Sequence, residues 1–331
     1  MPGSIPTAAF RTPCSAPPSS GGHAGQNCYL GRHCGTVYSI DTSGNEKVLH
    51  TFSGSDGANP FGGRHYDSLQ KVFFGTTEYG GTGNFGTVYS VDDSGNEQLL
   101  YSFSGGPHDG AYPVGTLAVH CSLTACRLYG VTLQGGTTND GAIFIVTLDF
   151  QTQKTSEKLL HSFVPAEGDV PLGGLELSID QLVVYGAASR DGANDRGSIF
   201  SFTTAPVAKF AILHSFDKGG DGELPYVRPT LINGALYGTT QEGGAYGSGA
   251  IYKIQLNKGN PQECVLHSFP DPTVQGGDGL RPDSPLRNFK VGNQVLFFGT
   301  TVQGPKTNPY QKGFGTIYQI ALNAPCEHTY R

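Results

Sequence analysis

Short apolar runs recur along the chain, separated by glycine-rich gaps, and their internal pattern alternates. In Thr87-Val-Tyr-Ser-Val, Val88 and Ser90 project to one side and Thr87, Tyr89 and Val91 to the other, the two-residue period of a strand. β-Branched and aromatic residues dominate these runs, as a pleated, half-buried surface favours. Gly115-Thr-Leu-Ala-Val, Cys126-Arg-Leu-Tyr-Gly, Ala142-Ile-Phe-Ile-Val and Lys158-Leu-Leu-His-Ser-Phe follow one another in this way. They predict four consecutive short strands.

The same group of strings returns at regular intervals. Gly35-Thr-Val-Tyr recurs as Gly86-Thr-Val-Tyr, Gly141-Ala-Ile-Phe, Gly197-Ser-Ile-Phe, Gly249-Ala-Ile-Tyr and Gly315-Thr-Ile-Tyr, a mean period of 56 residues. Each is followed by a second string: Leu49-His-Thr-Phe, Leu100-Tyr-Ser-Phe, Leu160-His-Ser-Phe, Leu213-His-Ser-Phe, Leu266-His-Ser-Phe and a degenerate Glu327-His-Thr-Tyr. A third precedes all but the first: Phe74-Gly-Thr-Thr, Tyr129-Gly-Val-Thr, Tyr185-Gly-Ala-Ala, Tyr237-Gly-Thr-Thr and Phe298-Gly-Thr-Thr. From the glycine of this third string to the next Gly-Thr-Val-Tyr is 11 residues in four repeats, and 16 in the last, where an insertion carries Lys306, Tyr310 and Lys312. A fixed link bearing Gly-Gly reads as a shaped hairpin connection.

Four strands per repeat of this length predict an all-β fold, a β-propeller of six four-stranded blades. Five blades is the alternative, because the front half of the first repeat must come from residues 1–34, which hold no Tyr-Gly-Thr-Thr match. The expected organisation is an irregular cysteine-containing segment over 1–34, contributing to blade one or leaving it incomplete, and a single propeller domain over 35–331. A non-cyclic β-solenoid is a further option.

Composition narrows this picture. The chain has 331 residues, with 49 glycines and 21 prolines, so long helices are interrupted nearly everywhere. The glycines keep no three-residue period, which excludes collagen, and no apolar run is long enough for a transmembrane helix. With a net charge of −6 and no basic stripe, no nucleic-acid partner is expected. The seven cysteines admit disulfides, free thiols or a metal. Placement favours disulfides: Cys121 and Cys126 flank a tight connection, and Cys28 and Cys34 crowd the N-terminal segment. Cys264 and Cys326 precede equivalent strands of neighbouring repeats. Cys28-x5-Cys34, with His33, is not a standard zinc spacing, and no metal is assigned.

Together the strings resemble the GloVer tandem-repeat family, extracellular repeat proteins of choice-of-anchor type. Its pattern runs Leu-Tyr-Gly-Thr-Thr, a Gly-Gly loop, Gly-Thr-Val-Phe, Leu-His-Ser-Phe, then Asp-Gly-x-x-Pro. Here it is carried by Gly75–Thr77, Gly86–Tyr89, Leu213–Phe216 and the loops Asp56–Pro60 and Asp109–Pro113, over roughly residues 35–330. The resemblance implies an extracellular or cell-surface setting, often within larger anchored proteins, and carries no catalytic residues with it. The cysteine-rich start departs from the family pattern.

Candidate chemistry falls into two kinds. His50, His161, His214, His267 and His328 hold one position in five repeats, with Tyr101 in the sixth. A ring nitrogen used once per blade, and replaceable by tyrosine, points to a structural hydrogen bond rather than ligation. The acidic loops at Asp56, Asp109, Asp169, Asp221 and Asp278 are turn formers, expected to brace these rings. Oxygen ligands suit calcium, the only cofactor entertained, although none of these loops has the dense oxygen spacing of a calcium hand.

Departures from the repeat point to function. The fourth Gly-Gly loop is replaced by Ser189-Arg-Asp-Gly-Ala-Asn-Asp-Arg196, with four charges between Arg190 and Arg196 in a chain only 15% charged. Asp191 and Asp195 would suit a cation or acid/base work, and Arg190 and Arg196 an acidic sugar; a solvated, salt-bridged loop is the competing reading. His65, Arg228, Tyr79 and Tyr246 complete the ligand-binding candidates, the tyrosines as stacking surfaces for sugar rings. The expectation is an extracellular or cell-surface module that binds carbohydrate or another extracellular ligand such as a surface protein, or serves adhesion. The alternative is a polysaccharide-active lyase or glycoside hydrolase, which requires Arg190, Asp191, Asp195, His65 and Arg228 to converge. Self-assembly through an edge strand or the cysteine-rich start is a third option.

Overall fold

The computed structural model describes residues 7–11, 34–41, 43–61, 65–68, 70–204, 207–217, 220–256, 261–270, 279–292, 294–304 and 315–330. Cys14, Cys28, Arg64, Asp278, Lys306, Tyr310 and Lys312 lie outside them. The chain divides into two compact units, Met1–Phe163 and Val164–Arg331.

The first unit holds three antiparallel sheets. One contains β1 (Thr7–Arg11), β2 (Thr36–Ile40) and β3 (Glu46–Thr51), so the N-terminal segment supplies one strand beside the first Gly-Thr-Val-Tyr string. The next contains β4 (His65–Asp67), β5 (Val72–Thr77), β6 (Thr87–Asp92) and β7 (Glu97–Ser102). The third contains β8 (Gly110–Cys121), β9 (Ala125–Gly135), β10 (Ala142–Asp149) and β11 (Lys154–Ser162). Cys121 and Cys126 face each other across the β8–β9 hairpin and form a disulfide, with Cα atoms 4.0 Å apart. Cys34 is also disulfide-bonded.

In the second unit, one sheet contains β12 (Leu175–Leu177), β13 (Val183–Ala188), β14 (Ser198–Thr203) and β15 (Lys209–Ser215). Another contains β16 (Thr230–Ile232), β17 (Ala235–Thr240), β18 (Ala250–Gln255) and β19 (Gln262–Ser268). The last contains β20 (Leu280–Pro282), β21 (Arg287–Val291), β22 (Gln294–Gln303) and β23 (Ile317–Ala321). One sheet per repeat, built from sequential antiparallel strands, makes the fold a β-propeller, with six blades.

The sixth repeat departs from the sequence expectation. The segment holding His328, read as the fourth strand of that repeat, is β24 (His328–Tyr330), and it pairs with β19 of the preceding sheet. A Cys264–Cys326 disulfide, Cα atoms 5.7 Å apart, anchors it there. With Cys326 tied to β19, the next residues reach that edge first.

The repeated strings are explained by one packing column. The glycine of each Tyr-Gly string lies opposite the aromatic of the next string: Gly75 opposite Tyr89, Gly130 opposite Phe144, Gly238 opposite Tyr252 and Gly299 opposite Tyr318. The ring lies across that glycine, where a Cβ at Gly238 would overlap the Tyr252 phenol. The phenylalanine of the preceding repeat's Leu-His-Ser-Phe string packs edge-on to the same ring, with centroids 4.9 Å apart for Phe52–Tyr89 and 5.4 Å for Phe216–Tyr252. Its own histidine stacks edge-on behind it, at 4.9 Å for His50–Phe52 and 4.8 Å for His214–Phe216. Glycine, aromatic, phenylalanine and imidazole thus form a continuous apolar column from one sheet to the next.

A bulge sets the histidine's direction. Val88 pairs with Tyr101 and Tyr89 with Leu99, which leaves Leu100 without an opposite residue, and the same shift recurs at Val37, Ile143, Ile199 and Ile251. An extra residue kinks the strand and re-aims its side chains. Here it turns the ring residue toward the loop that follows.

Candidate functional site

Two kinds of loop meet at one end of each sheet: the Gly-Gly hairpin, and the Asp-Gly-x-x-Pro connection into the next repeat. Isolated bridges join them at Ala58 and Tyr79, Asp169 and Arg190, and Glu223 and Glu242. The residue before each proline adopts a left-handed backbone: Asn59 (φ 56°), Tyr112 (φ 59°), Val170 (φ 55°), Leu224 (φ 58°) and Arg281 (φ 58°). Residues with side chains avoid this region, β-branched valine most strongly. In four of the five its N–H is clasped by a carbonyl of the preceding repeat, at 2.8 Å for Asn59 to Cys34 and Tyr112 to Phe85, 3.1 Å for Leu224 to Arg196 and 2.9 Å for Arg281 to Ser248. The backbone recurs while the side chains it presents change completely.

Tyr79 and Tyr246 do not hold the same place, because Tyr79 precedes its Gly-Gly pair and Tyr246 follows Gly243-Gly244. The residue bridged as Tyr79 is bridged is Gln134 in the third repeat, Arg190 in the fourth and Glu242 in the fifth.

In the first unit this end is aromatic. Tyr79 and Tyr112 meet edge to face at 5.4 Å, and Phe85 packs against Tyr112 at 5.8 Å. All three rings are partly exposed. Beside them Asn59 donates to the Glu78 carboxylate at 2.6 Å. Burial, reinforced by the Glu78 charge, pushes the Tyr79 phenol up to about 12, so it remains a hydrogen-bond donor. Tyr112 and Phe85 were not among the sequence candidates; their signal is the loop register just described.

In the second unit the same end is charged. Arg196 pairs with Glu223, Arg281 with Glu242 at 3.0 Å, and Gln241 donates to Asp283 at 2.6 Å. Arg190 is exposed and its backbone bridges Asp169. Asp191 and Asp195 both have positive φ, and the Asp191 carbonyl accepts from Gly197 at 3.0 Å. Tyr246 is 59% exposed. Arg228 pairs with Glu176 on β12 instead, and burial, with Arg287 nearby, pulls its guanidinium down to about 10. Arg196 and Arg228 are therefore engaged by different carboxylates. His65 belongs to the first unit, on β4 opposite Phe74.

The histidine–acid braces are present. His50 bonds Asp56 at 2.9 Å, His214 bonds Asp221 at 2.8 Å, and Tyr101 donates to Asp109 at 3.1 Å. His267 lies 3.6 Å from Glu327. In the third repeat Glu167, not Asp169, takes the place that Asp56 holds in its loop. Glu167 accepts from the Val164 N–H at 3.2 Å as Asp56 accepts from Ser53 at 2.8 Å, while Asp169 takes the bridge place of Ala58. Burial opposes the Asp56 charge, but bonds from Ser53 and His50 outweigh it and hold the carboxyl low.

The braces at His50, Tyr101 and His214 each meet a glutamate that sequence reasoning passed over. Glu97, Glu157 and Glu263 stand four residues ahead of Tyr101, His161 and His267. Burial raises Glu97, with the Asp56 charge adding and His50 opposing. Burial and Asp109 push Glu157 up to about 7 against a bond from Tyr101. Burial, Asp221 and Asp217 push Glu263 up to about 9.

Solved structures with a similar fold include the α-L-arabinofuranosidase of Lactobacillus brevis, at 10% identity over 80% of this chain and 90% of that one, with a TM-score of 0.43. The α-L-arabinofuranosidase Arb93A of Fusarium graminearum, solved with an iminosugar inhibitor, matches at 10% identity over 87% and 85%, with a TM-score of 0.46. The GH43 endo-arabinanase of Bacillus licheniformis matches at 14% identity over 80% and 94%, with a TM-score of 0.36. No curated protein matches the chain by sequence. The model of the Gloeobacter/Verrucomicrobia repeat matches residues 22–233 and 124–330. With nearly every residue inside those matches, and the repeated strings each assigned a place in a sheet, the chain belongs to the Gloeobacter/Verrucomicrobia repeat family.

Proposed function

We propose that this chain is an extracellular or cell-surface propeller module that binds carbohydrate through the loop end of its first unit. The observation that carries the reading is the Tyr79–Tyr112–Phe85 cluster with Glu78 and Asn59 at its side. Partly exposed rings offer apolar faces to the C–H faces of a sugar, and a fixed carboxylate–amide pair offers acceptors and donors to its hydroxyls. The cluster stands where the repeat varies, on a backbone that the repeat keeps constant. Disulfides at Cys121–Cys126 and Cys264–Cys326 suit an oxidising compartment. Among the described residues no helix is long and apolar enough to cross a membrane.

A polysaccharide panel, run with and without calcium and including arabinan, tests this by reading retention and product release together. Retention of a polysaccharide is expected, and Tyr79→Ala or Tyr112→Ala should weaken it about tenfold, or ~1.4 kcal/mol, with the melting temperature of each variant confirming its fold. No retention of any neutral or acidic polysaccharide defeats the reading. The polysaccharide-active enzyme is the second reading. It is favoured by Glu78, a carboxylate that Asn59 and the Tyr79 hydroxyl fix at the loop end, as a general base requires. Released oligosaccharide in the same panel, abolished by Glu78→Gln, would establish it.

A further inference from the structure

The glutamates that meet the braces are unexplained by either scaffold or loop end. In the first unit, one nitrogen of His50 and one oxygen each of Asp56 and Glu97 lie within 4.8 Å of one another. His50 and Asp56 come from β3 and the loop after it, and Glu97 from β7 of the next repeat. The Oε1 atom of Glu97 is buried without a hydrogen-bond partner. The second unit holds the same residue types at His214, Asp221 and Glu263, more deeply buried, but among the described residues only the first set brings its three donor atoms within 4.8 Å of one another. Glu263 is 2% exposed, Asp221 is 1% exposed, and neither carboxylate oxygen of Glu263 has a partner. Glu263 holds the same register as Glu97, and of the charges acting on it Asp221 has the largest effect. An unpartnered Glu97 oxygen brought close to the Asp56 carboxylate is costly, since it has lost water and the two like charges repel. A dication between them relieves both costs.

We propose that His50–Asp56–Glu97 is a divalent-cation site of zinc type, clamping one repeat to the next. One imidazole nitrogen and two carboxylate oxygens form a donor set that zinc accepts, with a fourth position left for water. Calcium prefers six or more oxygens and is poorly served by it. The chain carries its own comparison. Tyr101 replaces the histidine beside Asp109 and Glu157, and a neutral phenol is no zinc ligand.

The test is zinc titration of the chelator-treated full chain at neutral pH by calorimetry, with melting followed in zinc, in calcium and in EDTA. The expected result is one zinc ion per chain, with a rise in Tm that calcium at the same concentration does not reproduce. His50→Tyr installs the Tyr101 arrangement the chain already uses; it should remove that zinc ion and melt alike in zinc and EDTA, whereas His214→Tyr should leave the ion in place. A wild-type chain whose melting and calorimetry are indifferent to zinc overturns the proposal. So does a His50→Tyr variant, folded by circular dichroism, that keeps the zinc ion, because the metal then sits on other residues.

Discussion

At the residue scale the most constrained position is a glycine. Gly238 lies under Tyr252, whose ring is fully buried and whose hydroxyl has no protein partner. A methyl group there has nowhere to go, because the ring is held on its other side by Phe216. Gly238→Ala should cost about 1–3 kcal/mol, the usual range for overpacking a core. Urea unfolding of the variant beside the wild type measures it, and an unchanged midpoint would show that the column can yield. The glycine itself stands out in the sequence, repeating in every Tyr-Gly string. What it faces does not, since the partner ring is 14 residues away and is assigned only by strand register. The glutamates were harder still to see. Glu97 sits beside exposed Gln98 and Leu99 on β7, so local alternation reads it as a solvated charge, and only the neighbouring repeat makes it buried.

At the scale of elements, strings translated directly into strands because each combines β-branched or aromatic residues with a glycine turn at a fixed distance. Two misreadings have physical causes. The third Asp-Gly-x-x-Pro loop begins with the short 3-10 turn Pro165–Glu167, and its acid arrives as glutamate, so the Asp169 nearby attracted the assignment. At the C-terminus, a strand of three residues carries too little pattern to name its own edge, and the disulfide decides. Reducing that constraint gives a prediction. Cys326→Ser should free β24 from β19 and expose the Glu327 N–H, now bonded to the Val265 carbonyl at 2.7 Å, to rapid hydrogen exchange. The loop closed by the bond spans 62 residues, for which a loss of about 2–4 kcal/mol is expected. Protection at Glu327 that survives the substitution would mean that strand pairing alone holds the terminus.

At the scale of the whole molecule, repetition multiplies small local choices, and the acid at the Tyr101 brace shows how one becomes a global property. Glu157 faces Asp109 and the Tyr101 hydroxyl, and burial with the Asp109 charge raises its carboxyl from 4.5 to about 7. The native chain therefore holds a proton that the unfolded chain has released over that interval. A raised carboxyl favours the fold while protonated, so this contribution is complete below about pH 4.5 and is lost as pH climbs through about 7. With EDTA present to keep the histidine braces free of metal, the urea midpoint should fall between those two pH values. Glu157→Gln, which keeps the shape of the protonated acid and cannot ionise, should flatten that fall and leave the acidic end nearly unchanged. A variant whose midpoint falls as steeply as the wild type would assign the pH dependence to other groups and leave Glu157 ionised at no cost. The loop-end cluster around Tyr79 lies on the same unit, so binding measured across this pH range also reports whether that unit stays folded while its ligand is tested.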